Sequence, residues 1–314
     1  MKDGFGREIN YLRLSVTDLC NLRCKYCMPA DGVNKLAHAD ILSVEEIEGI
    51  VRAAASLGIT KVRITGGEPL VRRGILEICR RAAAVDGITE VCMTTNATLL
   101  REFAVPLREA GVSRLNISLD TLNAERYREL TRGGELADAL DGIEAARAAG
   151  FGRIKLNAVL IGGENSDADI RALAELTRGG LNVRFIELMP IGETAEWARP
   201  RFLPNSAVLK AVPELTECGS DGVARLYRLP DADGTVGLIS PVSSHFCPDC
   251  NRIRVTADGK LKPCLHSATE INLRGLRGKA LTDAIKNAIL IKPQRHRIDE
   301  GASGSLRNMN AIGG

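Results

Sequence analysis

Cys20, Cys24 and Cys27 place three thiols within one short segment, and Cys247, Cys250 and Cys264 place three more near the other end of the chain. Soft sulfur donors at such spacing suit zinc or an iron–sulfur cluster. The number of donors bears on the first group. A four-iron cluster is usually held by four cysteines, so three leave one iron open to a ligand from outside the protein. A structural zinc site needs a fourth residue, and His38 is the only histidine nearby in sequence. The first group therefore reads as an iron–sulfur site ahead of a zinc site. The second stays open on its own residues, because His245 or His266 could complete a four-ligand zinc site. The solitary Cys79, Cys92 and Cys218 read as apolar filler.

The elements that must position these groups follow from periodicity. Short β-branched runs at Leu12–Val16, Lys61–Thr65, Glu90–Thr94, Arg114–Leu119, Ile154–Leu160 and Val183–Leu188 alternate with segments of helical period. The clearest helix opens at Ser43-Val44-Glu45-Glu46, a capping box. It continues with Ile47, Ile50, Val51 and Ala54 on one face and stops at Gly58. Ser166-Asp167-Ala168-Asp169 opens another in a similar way, and Leu136–Ala149 is a third, ended by Gly150. Six β–α repeats predict parallel strands with crossover helices, curled into an incomplete (βα)6 TIM-like barrel; an open doubly wound sheet is the alternative. In such a barrel catalytic groups sit in the loops after the strands, where Cys20–Cys27 and Gly66-Gly67-Glu68-Pro69 both fall. Beyond about Pro213 the pattern changes to short strands at Val223–Leu229, Thr235–Ile239 and Ile253–Thr256, separated by turn signals. The expectation is an α/β barrel over residues 1–212 and an antiparallel β appendage over 213–314 that carries the second cysteine group.

Bulk composition agrees with a folded globular chain. Its 314 residues are about two domains' worth, with 45% hydrophobic and 26% charged residues. A net charge of +3 is too small to argue for nucleic acid or an anionic membrane. The first residues lack the apolar stretch of a signal peptide, and no apolar run approaches the ~18 residues of a membrane span. A cytoplasmic location is expected, where thiols stay reduced and nine cysteines need a use other than disulfides.

Cys20-x3-Cys24-x-Tyr26-Cys27 resembles the signature of the radical S-adenosylmethionine enzymes. Gly66-Gly67-Glu68-Pro69 is similar to their glycine-rich segment after the second strand, and Ser118 matches a ribose-binding position. The resemblance implies a [4Fe-4S] cluster whose open iron is chelated by S-adenosyl-L-methionine, and release of a 5′-deoxyadenosyl radical. With Cys247-x2-Cys250-x13-Cys264 near its end, the chain resembles the GTP 3′,8-cyclase branch, in which a second [4Fe-4S] cluster binds the guanine. Met189 then matches a position touching the adenosyl group, and Tyr26 and Gly67 join the cofactor-binding set.

A buried triphosphate needs cations, since unpaired buried charge is costly. Arg13, Lys61, Arg63, Lys155 and Arg184 lie on the strand candidates, and Arg252 and Arg254 follow Cys250. Lys61 and Arg63, like Arg252 and Arg254, are two apart and share a strand face. Singly each could be a solvated charge; together they match the substrate-binding positions of the cyclases, as does Thr94. Arg13 is also a candidate, by position alone, for quenching the cyclised radical. The terminal Gly313-Gly314 resembles the family ending that reaches into the active site. In Thr94-Thr95-Asn96-Ala97 the family usually has Gly last, which puts that turn in doubt. The implied activity is conversion of GTP to 3′,8-cyclo-7,8-dihydroguanosine 5′-triphosphate in molybdenum cofactor biosynthesis. A homodimer and hand-off to a cyclic pyranopterin monophosphate synthase are implied as well. The alternatives are another radical enzyme with an auxiliary cluster, acting on a peptide or small molecule, and a zinc-stabilised binding protein.

Overall fold

The structure, a computed structural model, describes residues 1–33, 36–298 and 303–313. The side chain of His38 and the terminal Gly314 lie outside the described residues.

Six strands follow one another in sequence and in space: β1 (Tyr11–Ser15), β2 (Lys61–Thr65), β3 (Glu90–Thr95), β4 (Val112–Ser118), β5 (Ile154–Leu160) and β6 (Asn182–Glu187). All five pairings among them are parallel. The intervening helices are α1 (Val44–Ser56), α2 (Ile75–Ala83), α3 (Leu100–Glu109), α4 (Ala124–Thr131), α5 (Leu136–Ala148) and α6 (Asp167–Glu175). Local chemistry sets their ends. Ser43 accepts from the Glu46 amide at 3.2 Å while the Glu46 carboxylate accepts from the Ser43 amide at 2.9 Å, satisfying two orphan donors of α1. Gly58, at φ +88°, takes the left-handed turn that ends it. Ile47, Ile50 and Val51 on its inner face are at most 2% exposed, and each contributes about 1.5–3 kcal/mol by burial.

The remainder of the chain comprises α7 (Ala195–Ala198), α8 (Ser206–Ala211), β7 (Thr216–Asp221), β8 (Ala224–Arg228), β9 (Val236–Ile239), β10 (Arg252–Val255), β11 (Lys260–Lys262), β12 (Ile271–Asn272), α9 (Gly278–Leu290) and α10 (Met309–Ile312). The expected barrel sheet and antiparallel C-terminal strands are both present, joined more closely than the sequence indicated. A single sheet of twelve strands runs β12-β11-β10-β1-β2-β3-β4-β5-β6-β9-β8-β7. Strand β9 pairs in parallel with β6, and β10 pairs in parallel with β1. The C-terminal part thus extends both edges of the barrel sheet, with antiparallel β8–β7 outside β9 and β11–β12 outside β10. Alternation gave no warning of this, because it reports which face is buried and not which neighbour a strand finds.

The pleat sorts the residues. Leu12, Leu14, Val62, Ile64, Leu115, Leu156, Val183, Phe185, Ile253 and Val255 point outward and are wholly buried in the core beneath the helices. Intervening residues of the same strands point inward and are polar or charged except for Val159 and Ile186. A barrel lined this way keeps an open interior, whereas branched apolar side chains would have filled it.

Candidate active site

That interior is one cavity of about 540 Å³, and side chains from both edge regions of the sheet line it. The candidate site residues from the sequence meet there: Cys20, Cys24, Cys27, Tyr26, Gly67, Ser118 and Met189; Arg13, Lys61, Arg63, Thr94, Lys155, Arg184, Arg252 and Arg254; and Cys247, Cys250 and Cys264. Of the solitary cysteines, Cys79 and Cys92 are buried as expected of filler, whereas Cys218 is exposed because it lies on the edge strand β7. Strand register explains much of this. Arg13 is directly opposite Arg63 on one side and Arg254 on the other, which forms one inward layer of three guanidinium groups.

The loop after β1 carries the first thiols. Its turn is closed by the Cys27 and Met28 amides donating to the Cys24 carbonyl at 2.9 and 3.2 Å. Tyr26 is held by its hydroxyl donating to Asp120 at 2.8 Å, and Asp120 also accepts from the Val159 amide at 2.8 Å. Burial lifts the Asp120 carboxyl to about 6 against those two hydrogen bonds. Burial also pushes the Cys20 thiol up to about 11 and the Cys27 thiol up to about 12. It raises Cys24 well above the ordinary thiol range, with Cys27 and Asp120 adding to the effect. To ligate a metal centre these thiols must lose their protons, and the positive charge of the centre would replace them.

Gly66 and Gly67 brace this loop from β2. The Gly67 amide donates to the Thr17 carbonyl and the Glu68 amide to the Leu19 carbonyl, both at 2.8 Å. A Cβ on Gly67 would lie 2.6 Å from the Leu19 carbonyl carbon and closer still to its oxygen. Glycine is required here for close approach of the cysteine loop. Glu68, wholly buried, accepts from the Leu70 and Asn96 amides at 3.0 and 2.7 Å and from the Thr95 hydroxyl at 2.8 Å. Beyond it Ala97 adopts φ +67°. The turn in doubt is kept, and alanine carries the strain that glycine would avoid.

The second thiols differ electrostatically. Burial acts to raise Cys250, but Lys292, Arg252 and Arg254 bring it down to about 7. Lys292, 2% exposed, donates to the Arg252 and Pro263 carbonyls at 2.9 and 2.8 Å. Three histidines gather alongside, with ring centroids of His245 and His296 4.4 Å apart and of His266 and His296 4.6 Å apart. The donor atoms of His245, Cys247 and His296 lie within 4.8 Å of one another, so a single metal ion could also be held there. Burial, with His296 and Arg254 alongside, pushes His266 down to about 3, which leaves it neutral.

The cations crowd one another. Burial and then the neighbouring Arg254 pull Arg13 well below its ordinary value, and burial with Arg252 brings Arg254 down to about 10. Lys61 pairs with Glu90 at 2.7 Å, and Lys155 and Arg184 pair with Asp221. Arg252 Nη2, Asn116 Oδ1 and Asn157 Oδ1 are buried with no hydrogen-bond partner among the described residues, which fits a polar ligand in the cavity. The chain's tail enters too. The Gly313 carbonyl accepts from Arg254 at 2.6 Å and from Arg13 at 3.3 Å, while Asn310 donates to the Asp18 carbonyl at 3.0 Å.

Sequence reasoning missed Tyr11, Arg114, Lys292 and His296. The first two were detectable, since Tyr11 shares strand parity with Arg13, and Arg114 with Asn116 and Ser118. Lys292 and His296 follow a C-terminal helix, and only tertiary packing brings them to the site.

Comparison with known proteins agrees with this geometry. The family model described as Radical SAM superfamily matches residues 14–177, and that described as Molybdenum Cofactor Synthesis C matches residues 181–298. The chain is 50% identical over 321 residues to a GTP 3′,8-cyclase of Alkaliphilus metalliredigens, covering 100% of both chains. It is 48% identical to one of Geobacter sulfurreducens, covering 99% of both. The crystal structure of Streptococcus suis SuiB, 17% identical, aligns with a TM-score of 0.61 over 93% of this chain and 68% of that one, a likeness of fold. Sequence, fold and cavity thus place the chain in the radical SAM superfamily, as a member of the GTP 3′,8-cyclase family.

Proposed function

We propose that the protein converts GTP to 3′,8-cyclo-7,8-dihydroguanosine 5′-triphosphate, a step of molybdenum cofactor biosynthesis. The observation that carries this reading is the union of two cysteine triads and a set of inward cations in one cavity of about 540 Å³. Relatives covering the full chain bear the name of this activity.

In this reading Cys20, Cys24 and Cys27 hold one [4Fe-4S] cluster, and Cys247, Cys250 and Cys264 hold a second. With S-adenosyl-L-methionine bound, the first would supply one-electron radical chemistry. Gly67, Tyr26, Ser118 and Met189 position the S-adenosyl-L-methionine. Lys61, Arg63, Lys155, Arg184, Arg252 and Arg254, with Thr94, bind GTP, countering charge that would be costly inside the barrel. Held at both the base and the phosphates, the nucleotide keeps C3′ and C8 close, a proximity effect. Arg13 lies centrally among the cations, where it is the candidate proton donor when the cyclised radical is quenched, the electron coming from the external reductant. The reading includes residues 1–212 as a radical SAM unit and 213–314 as the auxiliary-cluster unit. It also includes a homodimer, hand-off to a cyclic pyranopterin monophosphate synthase and a cytoplasmic location. Family resemblance supports the partners, and nine free cysteines support the location. No helix among the described residues is long and apolar enough to cross a membrane.

The test is anaerobic incubation of reconstituted protein with GTP, S-adenosyl-L-methionine and a reductant. The expected result is 5′-deoxyadenosine formed together with the cyclised nucleotide. Formation of 5′-deoxyadenosine with no product dependent on GTP would overturn the assignment.

A further inference from the structure

Three carboxylates line the cavity among the described residues: Glu68, Glu187 and Asp221. Two are committed to the fold. Glu68 is tied to the Leu70 and Asn96 amides, and Glu187 accepts from the Asn205, Val242 and Ser243 amides at 3.2, 3.0 and 2.9 Å. Asp221 pairs instead with cations, bridging Lys155 and Arg184. Arg184 is pinned by Nη1 donating to the Val183 and Thr235 carbonyls at 3.0 and 3.1 Å, so that Nη2 is the nitrogen turned to Asp221.

The carrier of Asp221 is unlike the rest of the cavity wall. Asp221 ends β7, the outermost strand of the sheet, whose six residues are all exposed and whose one strand partner is β8. Gly222 follows at φ +60° with open space around its Cα. The Asp221 side chain is 45% exposed, whereas those of Lys155 and Arg184 are 17% and 4% exposed. A half-solvated anion on an edge hairpin thus rests on two cations that are more buried than it is. Against the effect of burial, Lys155 and Arg184 hold the Asp221 carboxyl down at about 2, so it is charged at neutral pH.

We propose that Asp221 is a built-in competitor for the anionic end of the substrate: its carboxylate holds the Lys155–Arg184 pair in the substrate-free chain and is displaced, with the hairpin tip that carries it, when a triphosphate binds. The inference rests on the assignment of Lys155 and Arg184 to the phosphates. One carboxylate carries a single charge, while a triphosphate carries several and offers many acceptor oxygens, so exchange favours the ligand. The competitor spares the two cations from facing each other unpaired, and it sets a threshold that weakly charged ligands do not pass. Because the departing pair is partly solvated, its cost to binding is modest.

The test is calorimetric titration of anaerobic holoenzyme and its Asp221→Asn and Asp221→Ala variants with GTP, inorganic tripolyphosphate and guanosine. Both variants are expected to bind GTP and tripolyphosphate about three- to tenfold more tightly than wild type, with guanosine binding unchanged. Hydrogen exchange across residues 216–228 is expected to rise in wild type when either anion is added. Unchanged or weaker anion binding in both variants would overturn the proposal, as would an equal tightening for guanosine. If wild type takes tripolyphosphate but not GTP, the nucleotide assignment fails, and the tripolyphosphate comparison still decides the role of Asp221.

Discussion

Replacing Gly67 by alanine perturbs the cysteine loop through a single methyl group. The new carbon would stand 2.6 Å from the Leu19 carbonyl carbon and 2.9 Å from the Asp18 oxygen. Carbon atoms rest at about 3.5–4.0 Å, so the two loops must part by about 1 Å. No flexible side chain can yield, because the atoms met are backbone. Nor is the opposing loop free to retreat. Thr17 and Asp18 are 2% and 3% exposed, the Asp18 carbonyl accepts from Asn310 at 3.0 Å, and the Leu19 amide donates to Thr17 Oγ1 at 3.1 Å. The displacement falls on the segment leading into Cys20. Overpacking of this kind costs about 1–3 kcal/mol, which leaves a protein of this size folded. A misplacement of about 1 Å at reacting groups costs on the order of 100-fold in rate. Gly67→Ala should therefore remain folded, its thermal transition lowered by a few degrees, while 5′-deoxyadenosine formation falls about 100-fold. The assay is anaerobic turnover normalised to iron per chain, with Gly152→Ala as the control. A Cβ at Gly152 meets nothing within 4 Å and its φ is ordinary, so that variant should behave as wild type. Wild-type turnover in Gly67→Ala would refute the reasoning, since the clash is then relieved without moving the thiols.

Three further outcomes are expected. At Ala97, glycine would relieve about 1–2 kcal/mol of left-handed strain. Against this stand about 0.8 kcal/mol of lost methyl burial and 0.4–1 kcal/mol of added unfolded-state freedom. Ala97→Gly should thus leave the urea midpoint almost unmoved, whereas Ala97→Val should lower it clearly. Arg307 donates in pairs to Asp258, at 3.0 and 2.9 Å, and to Glu270, at 2.7 and 2.8 Å, which anchors the tail. Burial alone would raise both carboxyl groups, yet hydrogen bonds from Arg307 hold both below their ordinary values. This anchoring is complete above the ordinary carboxylate range and is lost as pH falls through the depressed values. Protection of the tail from carboxypeptidase should accordingly persist at neutral pH, weaken in strong acid, and be absent at every pH in Arg307→Met. In cluster-free protein at pH near 7, Cys250 should be alkylated ahead of Cys20, Cys24 and Cys27, because the thiolate is the reactive form. Peptide mapping by mass spectrometry reads the order, and faster labelling of Cys27 would contradict it.

Much of this protein was legible before its coordinates. The six strands of the barrel agree with their sequence ranges to within two residues, since alternating burial on a parallel sheet is a local property of the chain. The cysteine spacing and the strand parity of Lys61/Arg63 and Arg252/Arg254 likewise survive folding, because ligand loops and pleats act over a few residues. What the chain could not announce by itself was partnership across distance. That β9 and β10 close onto β6 and β1, that Asp221 reaches Lys155, and that Lys292 lowers Cys250 all join residues tens to hundreds apart in sequence. Periodicity records which face of an element is buried; which surface covers that face is chosen only when the elements pack. The same limit explains Gly67, whose need for glycine was plain in the motif but whose cause, the Leu19 carbonyl filling the space of a Cβ, exists only in the folded molecule.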